Sequence, residues 1–68
     1  MTDRNKLQAK MALHGLKAYE LADSIGISRQ SMSYKLNGKR PFTVKDIDSI
    51  SKKLDLSLEE RDEIFFTE

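Results

Sequence analysis

The sequence predicts an all-α domain of five helices, and three observations carry that prediction. Apolar residues recur at helical spacing in five separate stretches, and none of the chain reads as a credible strand. Residues that suit a helix N-cap stand ahead of four of these stretches, at Thr2 or Asp3, Ser28, Thr43 and Ser57. The three glycines, Gly15, Gly26 and Gly38, are dispersed, and each falls just after a predicted helix.

The first helix starts at Thr2 or Asp3 and runs to about His14. Leu7 and Met11 stand one turn apart on its inward stripe, with Ala12 and Leu13 beside them. Gly15 is the expected C′ residue, and Leu16 occupies the place of the returning hydrophobic contact of a Schellman motif. The second helix spans about Ala18 to Ile25, with Leu21, Ala22 and Ile25 inward and Tyr19 partly over the core. Ala22 leaves room for a close helix crossing, and Gly26 supplies the positive φ that turns the chain. Ser28 caps the third helix, Arg29 to about Asn37, whose inward pair is Met32 and Leu36. By subtraction, Gln30, Ser33, Tyr34 and Asn37 form its outward face. Thr43 with Asp46 resembles a capping box for the fourth helix, whose expected buried stripe is Val44, Ile47, Ile50, Ser51 and Leu54. Ser57 with Glu60 is a capping box for the fifth, whose apolar set is Leu58, Ile64, Phe65 and Phe66.

Sixty-eight residues make a single domain, 1–68, near the size at which one core is only marginally sufficient. The absence of cysteine excludes a disulfide framework and a thiolate zinc site. Apolar runs of two or three residues fall far short of the roughly 20 needed to cross a bilayer, and there is no signal-peptide h-region. No membrane association is expected, and a cytoplasmic location is. The acidic, capped last helix favours a complete small regulator over the head of a longer one.

The formal net charge of +1 conceals a division. Residues 1–45 carry nine Lys and Arg against three acids, a net of +6, while residues 46–68 carry three against eight, a net of −5. Such asymmetry points to a basic surface facing a polyanion, against the plainer reading that charges coat a small helical domain.

Enzymatic readings fail on inventory, so no catalytic residue is expected. A nucleophile needs a base and an orienting group, whereas the chain has one His, no Cys, and serines better explained as caps. Glu59 and Glu60 are adjacent on a helix and point apart, and the dispersed glycines form no phosphate loop. His14 has no second His or Cys to complete a metal site, so neither metal nor cofactor is expected. Nucleic-acid binding accounts for more residues at once. Phosphate contacts supply affinity and base contacts supply sequence preference, and the two classes separate around the third helix. The phosphate candidates are Lys17, Tyr19, Ser28, Ser31, Lys39, Arg40 and Lys45. The base-reading candidates are Arg29, Gln30, Ser33, Tyr34 and Asn37, with Gln30 suited to both hydrogen-bonding positions of an adenine.

The stretch ELADSIGISRQSMSYKLNGKR resembles the helix-turn-helix of lambda-repressor-like and Cro-like phage and bacterial regulators, and KLNGKRPFT with the following helix is similar to small Cro-type proteins. The likeness covers about residues 5 to 56. It implies a five-helix bundle, a homodimer on double-stranded DNA bearing an inverted-repeat operator, and transcriptional regulation, most often repression. It assigns base reading to the same five residues. Two departures stand out: many relatives start the second helix with Thr and Gln where this chain has Lys17 and Ala18, and often have an apolar residue where it has Lys35. Leu36 is expected to fill the core from the next position.

The fifth helix carries more apolar residues than a monomer is expected to bury. Leu58 and one or two of Ile64, Phe65 and Phe66 serve the core, and the remainder of these four forms a candidate dimer or partner surface; the plainer alternative packs the tail over the first helix. A rival function is a protein-interaction module of the same fold, an antitoxin or corepressor engaging a regulatory protein partner through its acidic C-terminal half.

Overall fold

The computed structural model describes residues 1–67. They form α1 (Arg4–Leu13), α2 (Ala18–Ile25), α3 (Arg29–Leu36), α4 (Val44–Lys53) and α5 (Leu58–Phe65). Glu68, counted in the acidic half, lies outside the described residues.

Local chemistry sets each boundary. Asp3 caps α1, its side chain accepting the Lys6 N–H at 3.1 Å. Lys17 precedes α2 without a side-chain cap, and the Glu20 carboxylate reaches back to its N–H at 2.9 Å. Thr43 and Asp46 form a reciprocal box at α4, as do Ser57 and Glu60 at α5. The end of α1 is a Schellman turn: Leu16 N–H donates to the Met11 carbonyl at 2.9 Å across Gly15, whose φ is +64°.

The core gathers Leu7 and Met11 of α1, Leu21 and Ala22 of α2, Met32 and Leu36 of α3, Ile47, Ile50 and Leu54, and Ile64 and Phe65 of α5. Burying a side chain such as Leu21 or Ile50 contributes roughly 2 kcal/mol. Phe42, just ahead of the α4 cap, also enters this core and meets Phe65 edge-on, with ring centroids 5.5 Å apart. The tail packs on α1: Asp3 N–H donates to the Ile64 carbonyl at 2.6 Å, and Lys10 pairs with Glu60.

Four expectations for apolar residues are corrected. Leu13 is 77 % exposed and Ala12 is also exposed, because at 100° per residue both rotate off the Leu7–Met11 stripe. Val44 is 74 % exposed, since at 100° per residue it is rotated off the buried Ile47–Ile50 stripe, and Phe42 ahead of the helix is buried instead. Leu58, at the corresponding first position of α5, is 73 % exposed, and Leu56 packs against the core ahead of it. Ile64 and Phe65 are buried within the monomer and leave the candidate partner surface, where Leu58 and the 55 % exposed Phe66 remain.

Candidate nucleic-acid interface

The interface is built on α2, α3 and the turn between them. Gly26 adopts φ +78°, and Ile27 N–H returns to the Ala22 carbonyl at 3.1 Å, which ends α2 and reverses the chain. Ser28 is extended, and its hydroxyl accepts the Ser31 N–H at 3.0 Å, so α3 begins three residues after α2 stops. Buried Ala22 and Met32 let the two helices cross closely. With Met32 and Leu36 buried, Arg29, Gln30 and Ser33 of α3 are exposed, as is Asn37 at its C-cap.

That face is polar and internally connected. Gln30 Nε2 donates to the Tyr34 hydroxyl at 3.0 Å, and Asn37 Nδ2 lies 3.4 Å from Ser33 Oγ. Each pair spans one turn, the spacing at which helix side chains meet. Arg29 leans toward α2, its guanidinium 4.8 Å from the centre of the Tyr19 ring and 3.4 Å from the Asp23 carboxylate. Both charged groups are largely exposed, where such a pair contributes at most about 1 kcal/mol. Arg29 can therefore exchange Asp23 for another acceptor at little cost.

The loop after α3 brings two cations to the same face. Gly38, with φ +78°, closes another Schellman turn, in which Lys39 N–H donates to the Tyr34 carbonyl at 2.8 Å. The reversal carries Lys39 Nζ to 5.4 Å and the Arg40 guanidinium to 5.2 Å from the Tyr34 ring centre. Half-buried Tyr34 thus meets Gln30 at its hydroxyl and both cations at its ring. Lys17 at the N-cap of α2 and Lys45 in the first turn of α4 are exposed, and Ser31 is half-buried beside the Ser28 cap.

Lys35 turns inward. Its side chain is 12 % exposed and its ammonium pairs with the Asp46 carboxylate, which also accepts the Thr43 N–H at 3.0 Å. Burial alone would raise the Asp46 pKa, but the hydrogen bonds from Lys35 and Thr43 prevail and hold it below the usual value. A polar link between the recognition helix and the cap of α4 thereby occupies the position where relatives often have an apolar residue, and Leu36 fills the core beside it as the sequence predicts. Glu60 is held well below its usual value, at about 2, by the hydrogen bond from Lys10 and by those at Ser57.

Arg4 is the neighbour that sequence reasoning missed. Its Nη1 donates to Asn37 Oδ1 at 2.9 Å, joining the first turn of α1 to the C-cap of α3 across thirty-three positions of sequence. Nothing local announces a contact of that separation. Among the described residues no cluster of three or more His, Cys, Asp or Glu could hold a metal, and no helix is long and apolar enough to cross a membrane.

The arrangement offers amide, hydroxyl and guanidinium groups in the row that a major groove accepts, with cations at one end and capped helix starts beside it. A helix-turn-helix family model matches residues 7–61. Comparison with curated proteins and with solved structures finds no match. The five helices, the turn at Gly26 and the matched span agree, and the chain belongs to the lambda-repressor-like and Cro-like helix-turn-helix family, whose members are DNA-binding transcriptional regulators.

Proposed function

We propose that the chain is a cytoplasmic repressor of the phage Cro type, one domain that lays α3 in the major groove of an inverted-repeat operator as a homodimer. The observation that carries this reading is the exposed row Arg29, Gln30, Ser33 and Asn37 on α3, adjoined by Tyr34 with Lys39 and Arg40. Bases are read by Arg29, Gln30, Ser33 and Tyr34 of α3 and by Asn37 at its C-cap, and phosphates are held by Lys17, Tyr19, Ser28, Ser31, Lys39, Arg40 and Lys45. Selection of bound duplexes from a random DNA library tests the proposal. The expected product is an inverted repeat with half-sites about 34 Å apart, whereas failure to enrich any sequence overturns it. Loss of DNA binding at low salt would leave the interaction module as the function of this fold.

Gln30→Ala should lower the preference for the selected site over random DNA by about 1–3 kcal/mol. Competition between the two duplexes measures it, and an unchanged ratio removes Gln30 from the reading set. Exposed Phe66 and Leu58 supply the candidate contact between copies. Phe66→Asp, at a position outside the core, should lower self-association while the thermal transition stays cooperative. Sedimentation at matched concentrations tests this, and an unchanged monomer fraction would move the interface elsewhere.

A further inference from the structure

We infer that Arg4 forms a phosphate-binding site with the α2–α3 edge, a contact to the DNA backbone made from α1. The inference rests on the proposed DNA reading and assigns a role to a helix outside the helix-turn-helix. Arg4, Gln8, Tyr19, Arg29, Ser33 and Asn37 line an open cleft where α1, α2 and α3 meet. Ala18 lies in the same wall with only a methyl side chain, and the Lys17 side chain makes no cap. Arg4 adds a guanidinium from α1 to the polar groups that Tyr19, Arg29, Ser33 and Asn37 bring to the cleft.

The charges on α1 divide by direction. Lys6 and Lys10 point to α5 and pair with Glu63 and Glu60. Arg4 points the other way, and among the described residues its hydrogen bond is to the neutral Asn37 amide rather than to a carboxylate. One N–H of its five is used, so the planar fork keeps donors for a bidentate phosphate contact. The nearby Arg29 is offset by Asp23, whereas Arg4 brings an uncompensated positive charge to the cleft. A phosphodiester alongside the end of α3 supplies the matching anion.

The test is the salt dependence of binding to random-sequence duplex DNA. Arg4→Ala should flatten the slope of log affinity against log salt by about 0.9. The wild type should then lose about threefold more affinity than the variant over a fourfold rise in salt. Arg4→Lys should restore the slope by returning the charge. Lys53→Ala, which removes one charge at the far end of α4, should leave it unchanged. An unchanged slope in Arg4→Ala, or an equal change in Lys53→Ala, overturns the inference, the second by attributing the effect to net charge. A wild type that shows no salt-dependent binding overturns the DNA reading itself and this inference with it. Circular dichroism melts establish that each variant is folded.

Discussion

The double variant Lys39→Ala, Arg40→Ala should bind every duplex more weakly at low salt, and its salt slope should flatten by about 1.8, so that the deficit shrinks by about tenfold over a fourfold rise in salt. The figure follows from two phosphate contacts, each releasing roughly 0.9 of a counterion. Geometry makes the pair a distinct unit, because the turn at Gly38 sets both cations over one Tyr34 ring and both are exposed. The ratio of specific to random affinity should hold, since neither residue lies on the row assigned to bases. Titrations of both duplexes at several salt concentrations measure the two quantities together. A retained slope would show that neither cation neutralises a phosphate; a changed ratio would show that the cations set the orientation of Tyr34 and, through it, of Gln30.

Asp46→Ala should cost about 3 kcal/mol, or roughly 15 °C in Tm for a domain of this size. The substitution removes the acceptor of the Thr43 N–H and leaves the Lys35 ammonium, 12 % exposed, without its partner. Lys35→Met should cost less, because the carboxylate keeps its bonds at Thr43 and methionine fits a mostly apolar setting. In the Lys35→Met background, Asp46→Ala should cost only the lost cap, about 1 kcal/mol. Thermal melts of the four proteins test this cycle, and equal costs in the two backgrounds would show that the pair is not an energetic unit. The pH dependence has a definite sign. The folded pKa of Asp46 lies below its ordinary 3.8, so its contribution is complete above that value and is lost as pH falls through the folded pKa. Glu60, held at about 2 against 4.5, acts in the same direction.

Local chemistry made most of the fold legible in the sequence. Asp3, Ser28, Thr43 and Ser57 cap the helices they precede, Gly26 and Gly38 turn the chain by positive φ, and the inward pair Met32 and Leu36 defines the outward face of α3. Helical period alone does not say where a stripe leaves the core. Val44 and Leu58 both stand on first turns and are exposed, whereas Phe42, which precedes its helix, is buried. The end of α4 was also hidden, because Asp55 takes φ +51° where the other turns use glycine. At the site, the candidates on α3 and its loop could be grouped by spacing, but their partners could not. Arg4 reaches Asn37 and Lys35 reaches Asp46 only after the helices have packed. Lys35 was visible as a departure from the family pattern, and its answering charge on α4 required three dimensions.

The seam between α1 and α5 has a consequence for how the chain reaches this state. Four of the five helices carry a side-chain cap at their start, and α2, its turn and α3 form a continuous local unit, so much of the structure can assemble from contacts near in sequence. Lys10 and Glu60 are separated by fifty positions, and Asp3 meets Ile64 across still more. Closing so long a loop loses chain entropy before any contact offsets it. The reading helix and its turn can therefore order early, and docking of the two chain ends completes folding, with Leu7, Ile64 and Phe65 entering a core already begun by Leu21, Ala22 and Met32.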